Sequence, residues 1–234
     1  MKQQHSVLFY LILSGVGILL LSAVVLQAPV ATAKLSFFEK IFLGSIFLCL
    51  CLLGVSLCLR PNWIKTLALK KDNARTNQGN EVTRCFIGHH PDCSVFDYHR
   101  IVFNKKTWCA GCIGLLFGCL LSSGLMILYV LGFPPVALMG YRLLFFVGMF
   151  CIIFVYAELL TGSRSRIVHI IANSTLVLSF LFITVSIGEL TGNVIDGFFT
   201  ILLCVLWLDT RILLSKWRHS LLCSNCSKAC KTYS

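Results

Sequence analysis

The sequence predicts an all-α integral membrane protein of about six transmembrane helices, with a small Cys/His-rich cytoplasmic loop in which a short β-hairpin is expected. Three observations predict it. Of 234 residues, 57% are hydrophobic and only 12% charged, where a soluble domain carries roughly 25% charged residues. The mean hydropathy is +0.86. The apolar residues fall in long, unalternating runs, which suit helices better than a barrel whose strands alternate.

A spanning helix needs about 20 predominantly apolar residues. Six segments qualify: 7–27, 37–59, 111–131, 143–160, 167–190 and 194–214. Lys2, the first apolar run and Ala31-Thr32-Ala33 together resemble a cleavable signal, but the run exceeds the 7–15 residues usual for one, so it reads as an uncleaved anchor. Pro134-Pro135 breaks the chain between the third and fourth helices. Gly162-Ser163-Arg164-Ser165-Arg166 is a tight basic turn, and Thr191-Gly192-Asn193 another. The organisation is two N-terminal helices (1–59), a polar loop (60–110), four helices (111–214) and a basic, Cys-containing tail (215–234).

Orientation follows from the basic residues. If all six helices span, seventeen Lys and Arg fall on the side of the N-terminus, long loop, basic turn and tail, and only Lys34, Lys40 and Arg142 on the other. The positive-inside rule then places both termini in the cytoplasm of a cell-membrane protein. The net charge of +11 lies between apolar runs as a collar facing anionic lipid, so the bilayer is the expected partner and nucleic acid is not.

The long loop concentrates the chemistry. It reads Cys85-Phe-Ile-Gly-His89-His90-Pro-Asp-Cys93, then His99, then Cys109-Ala-Gly-Cys112: seven thiols and imidazoles within 28 positions. These are zinc's preferred donors, and iron accepts them too. Ala110 and Gly111 are small enough to fold into a knuckle between the two sulfurs. Tyr98–Phe103 is β-prone, Asn104-Lys105 suits a turn, and Lys106–Cys109 can return, bringing Cys93 or His99 towards the Cys pair. Such a hairpin is marginal alone, and a bound metal would supply the missing folding free energy. The favoured four-donor set is Cys93, Cys109, Cys112 and one histidine. Adjacent His89 and His90 diverge and do not easily serve one ion together. His99 is either a ligand or a hairpin residue, and Cys85 is the spare.

The tail repeats the theme in Cys223-Ser-Asn-Cys226-Ser-Lys-Ala-Cys230. These three thiols are candidates for a second metal cluster, for a site shared with Cys109 and Cys112, or for palmitoylation. Cys49, Cys51, Cys58, Cys119, Cys151 and Cys204 lie singly in apolar runs and read as small apolar side chains.

Ionisable groups sit near the helix ends. Glu158, Asp209 and Arg211 fall at the cytoplasmic ends, the last two placed either to pair or to snorkel, with Glu189 and Asp196 at the outer turn. His169 and Asn173, four apart, share a helix face. All are expected to anchor the interface or bond between helices. Gly114 and Gly118 have the small-xxx-small spacing of close helix packing.

His89-His90-Pro91-Asp92-Cys93 followed by Cys109-Ala110-Gly111-Cys112-Ile113-Gly114 resembles a family of uncharacterised prokaryotic multi-pass membrane proteins. That family pairs a Cys/His element with Cys-Ala-x-Cys-x-Gly at the start of a transmembrane helix. The resemblance covers residues 85–118 and implies a membrane protein with a metal knuckle and no established activity. His-His-Pro-Asp-Cys here replaces the commoner Cys-His-Gln form.

The leading functional expectation is non-enzymatic: a structural zinc orders the cytoplasmic loop as a docking surface for a membrane or cytoplasmic protein. Two alternatives stay open. One is a thiol-redox or metal-handling protein using Cys109 and Cys112. The other is a membrane metallohydrolase, which needs an open metal position and a base such as Asp92 or Asp97. The sequence contains no phosphate-binding glycine loop, nucleophile elbow or His-Glu-x-x-His motif.

Overall fold

A computed structural model describes residues 2–28, 34–59, 86–87, 100–103, 106–133, 138–162 and 165–224. Its helices are α1 (Lys2–Gln27), α2 (Phe37–Leu59), α3 (Ala110–Val130), α4 (Leu138–Thr161), α5 (Arg166–Thr191) and α6 (Val194–Ser224). All six are long and apolar enough to cross a bilayer. Three short strands, β1 (Phe86–Ile87), β2 (Arg100–Phe103) and β3 (Lys106–Cys109), form one sheet between α2 and α3 in the chain. Large side chains such as Leu19, Phe38, Phe117 and Phe150 are exposed on the outside of the bundle, where lipid replaces water. The protein is therefore a multi-pass membrane protein.

Local sequence sets the helix ends. Ser36-Phe-Phe-Glu39 is a capping box: the Ser36 amide donates to Glu39 Oε2 at 2.8 Å, and the Glu39 amide turns back to Ser36 Oγ at 3.4 Å. Gly192, at φ 61°, ends α5 in the left-handed conformation that glycine adopts without strain, its N–H donating to the Gly188 carbonyl. Asn193 Oδ1 then accepts the Ile195 amide at 2.9 Å to start α6.

Helix α5 is central. Of its span 67% is buried, against 22% for α1, because α3, α4 and α6 all pack on it. The α3–α5 approach uses the predicted glycines: a Cβ at Gly118 would lie 2.8 Å from the Ser174 carbonyl oxygen, and one at Gly114 would collide with the Ile170 backbone. Ser174 Oγ donates to the Gly114 carbonyl at 2.8 Å across the same contact. On the other side Ser14 and Thr210 hydroxyls join α1 to α6 at 2.8 Å, and Trp207 Nε1 donates to the Ser14 carbonyl. The Trp207 ring stacks on Phe180 of α5.

Three helices are clearly longer than their apolar runs. Helix α6 continues to Ser224 rather than stopping near 214, α4 begins at Leu138 rather than 143, and α1 begins at Lys2 rather than 7. Hydropathy marks where lipid ends, whereas backbone hydrogen bonding continues through good helix formers such as Lys216 and Arg218. The extension is held, since Arg218 donates to the Leu159 carbonyl and Leu214 packs with Val7 and Leu159. The start of α4 is likewise anchored by Arg142 Nη2 donating to the Ala28 carbonyl at 2.8 Å.

Candidate functional site

The starts of α1, α3 and α5 and the ends of α2, α4 and α6 share one end of the bundle, here the loop end; the other is the far end. At the loop end β3 runs straight into α3. Cys109 is the last residue of β3 and the N-cap of α3, with extended backbone (φ −79°, ψ 127°), and is 8% exposed. Cys112 stands one turn later and is half-buried. Ala110 and Gly111 are therefore the first helical residues and not a loop knuckle: a helical turn brings the two sulfurs together. The Cys112 thiol lies within hydrogen-bonding reach of Cys109 and also of Cys58, from the last turn of α2.

The sheet order is β1-β3-β2. Strand β2 pairs antiparallel with β3, Arg100 opposite Cys109 and Phe103 opposite Lys106. Strand β1, not anticipated from sequence, pairs parallel with β3, Ile87 opposite Trp108. The end of β1 and the start of β2 thus both lie at the Cys109 end of the sheet. His89 follows β1 by two residues and His99 immediately precedes β2. Cys85 precedes the opposite end of β1.

Cys85, His89, His90, Cys93, His99 and the expected turn at Asn104-Lys105 lie outside the described residues, as do Cys226 and Cys230. Cys223 falls in the last turn of α6. Among the described residues, no three His, Cys, Asp or Glu side chains are arranged to hold one ion. Cys109 and Cys112 are two sulfur donors of the type zinc prefers, fewer than the four a structural zinc takes.

A polar cluster underlies the Cys pair. Glu158 Oε1 of α4 lies 2.8 Å from His169 Nδ1 of α5, both buried. Asn173 Nδ2 donates to the His169 carbonyl at 2.6 Å, and its amide lies 3.5 Å from where a Gly111 Cβ would stand. Arg211 of α6 comes within electrostatic range of Glu158, Tyr156 and Cys109. Of the two alternatives for Asp209 and Arg211, pairing is not seen: Asp209 is exposed.

At the far end Lys40 Nζ lies 2.7 Å from Glu189 Oε1. Tyr129 OH donates to the same oxygen at 2.7 Å, and Lys40 sits over the Tyr129 ring.

Sequence reasoning put His169 and Asn173 on one face but missed Glu158 as their neighbour. The signal was there: Glu158 and His169 stand almost equally far from the 162–166 turn, as antiparallel partners must. It also took Cys51 and Cys58 as isolated apolar residues. Their seven-residue spacing matches that of Cys112 and Cys119, and the two pairs meet across α2 and α3. No family model, curated protein or solved structure matches the chain.

Proposed function

We propose that this membrane protein holds a zinc-type ion at the mouth of α3, and that the ion ties the long loop to the bundle as a docking surface for a protein partner. One observation supports the reading: the strand register puts Ile87, Arg100 and Cys109 at one end of one small sheet, and in sequence His89 and His90 follow Ile87 closely and His99 directly precedes Arg100. Cys93 lies between those histidines in sequence. Cys109, Cys112, Cys93 and one histidine would complete a tetrahedral shell. Cys85 remains the spare donor. The ion would supply folding free energy to a sheet too small to be stable alone. The likeness over residues 85–118 to the uncharacterised prokaryotic family belongs to the same proposal. So does the placement of the loop end in the cytoplasm, on the seventeen-to-three split of basic residues.

The test is elemental analysis of purified protein, with cobalt substitution to count sulfur donors. One zinc per chain is expected, lost in Cys109→Ser and Cys112→Ser while the six-helix bundle still folds. A wild-type protein free of metal after purification without chelators, and unable to take up cobalt, refutes the reading.

A second reading, a redox dithiol, is favoured by a separate observation. Cys109 stands at the N-cap position of α3 and has Arg211 in electrostatic range, the setting in which thiolates form and exchange. Thiol titration separates the two: a metal-held pair reacts only after chelation, a redox pair at once.

A further inference from the structure

The apolar run puts Asp209 near the inner end of the last span, but the helix contacts put it at the middle of the bundle. The Thr210 hydroxyl meets Ser14 at 2.8 Å, and Ser14 stands at the midpoint of α1. Trp207 stacks on Phe180, which lies near the midpoint between His169 and Glu189 on α5. Those two residues belong to the polar clusters at the two ends of the bundle. Their separation along α5 is about 30 Å, the thickness of a hydrocarbon core. Asp209, between Trp207 and Thr210 in the chain, is therefore at mid-membrane depth.

Asp209 also faces outwards. Phe198, Leu202, Val205, Asp209, Ile212 and Lys216 are all exposed. They alternate four and three residues apart, the spacing of a seam between two packed helices. The opposite face of α6 is filled, by α1 at Thr210, by α5 at Trp207 and by α2 at Gly197, where a Cβ would meet Leu43. Among the described residues Asp209 has no hydrogen-bond or ion-pair partner. The positions three and four residues away on either side are Val205, Leu206, Ile212 and Leu213, so α6 offers it no cation. The short aspartate side chain cannot snorkel from this depth as a lysine or arginine does, and lipid tails offer no hydrogen bond. The exposed faces of α1 and α4 are apolar between their ends and suit lipid. Among the described residues no other Asp, Glu, Lys, Arg or His is exposed in the middle of a span.

We propose that the α6 face around Asp209 docks a transmembrane helix of a different protein, one that presents a Lys or Arg at mid-depth. Charge complementarity selects this occupant: a buried cation answers a carboxyl group that neither lipid nor α6 can satisfy. The exposed apolar residues on either side of Asp209 supply the packing. A second copy of this chain is a poorer fit. Two copies inserted in one orientation meet at equal depths, so Asp209 would face its own copy. At that depth the described surface exposes no Lys or Arg, since Arg211 is turned towards Glu158. The inference uses none of the residues of the metal reading and stands apart from it.

The experiment uses the full chain with benzoylphenylalanine placed at Leu202, reconstituted in phosphatidylcholine vesicles. The probe is a biotinylated model helix of leucine and alanine with one central lysine, compared with the same helix carrying a central methionine. On irradiation the lysine helix is expected to crosslink at least about threefold more, the scale of an intramembrane polar contact. Moving the lysine to the end of the model helix should remove the preference, as should Asp209→Leu. Should leucine impair folding, Asp209→Asn should lower the preference instead. Benzoylphenylalanine at Phe150, on the apolar face of α4, should crosslink both helices alike. Equal crosslinking of the two helices at Leu202 overturns the proposal. So does a lysine preference unchanged in both Asp209 variants, or a crosslinked dimer of the chain that the lysine helix does not displace.

Discussion

The two ends of the bundle bury the same kinds of group and treat them differently. At the far end Glu189, 1% exposed, meets the Lys40 amine and a tyrosine hydroxyl. That carboxylate is closed off by a full charge and a hydrogen bond, which is how a buried ion pair survives in a low-dielectric medium. At the loop end Glu158 meets an imidazole, which carries charge only when protonated. Its Oε2 is buried with no hydrogen-bond partner among the described residues. The thiols of Cys109, Cys112 and Cys58 stand beside this cluster, where the chain enters the sheet. The far end is a finished structural joint. The loop end keeps adaptable polar groups together, which is where a membrane protein places function.

Breaking the far-end joint should have the largest effect. Lys40→Ala leaves Glu189 as a buried charge without its cation and should cost about 3 kcal/mol, the low end for buried pairs because Lys40 is 20% exposed. Unfolding in mixed micelles reads the loss, and the double variant Lys40→Met, Glu189→Met should recover most of it. Next, Gly118→Leu forces a side chain into the Ser174 backbone and should cost about 2 kcal/mol by overpacking. The far-end joint should survive it, seen as unchanged protection of Lys40 from amine labelling, while the accessibility of Cys112 rises.

At the loop end His169→Gln should cost only about 1 kcal/mol, the scale of one hydrogen bond, because Arg211 still faces Glu158. A cost as large as that of Lys40→Ala would erase the contrast between the ends. The smallest effect is expected at the α1–α6 contact, where Ser14→Ala removes the Thr210 partner and should cost roughly 0.6 kcal/mol, as intramembrane hydrogen bonds typically do. Thermal melting of the two proteins side by side checks it.

Much of the fold was legible in the sequence because its signals are local. Six apolar runs gave six helices, and Gly192 with Asn193 gave the turn between α5 and α6. Gly114 and Gly118 announced a close contact, though not that α5 was its other half. The lengths of α1, α4 and α6 were underestimated because hydropathy reports the lipid boundary and is silent on where backbone hydrogen bonding stops. Cys109 and Cys112 were legible as a pair from their spacing, but a helical turn, not a loop, brings them together.

By itself, then, the sequence determined that this is a membrane protein, which six runs are long and apolar enough to cross a bilayer, and where its sulfur and imidazole groups concentrate. Those properties depend on composition and on periods of three to seven residues. Only the tertiary structure decided that Glu158 faces His169, that Lys40 faces Glu189, and that Cys58 and Cys51 face Cys112 and Cys119. Each pairing depends on which helices become neighbours and at what height. That choice is fixed by the packing of glycines and side chains between segments distant in the chain, and no local pattern carries it.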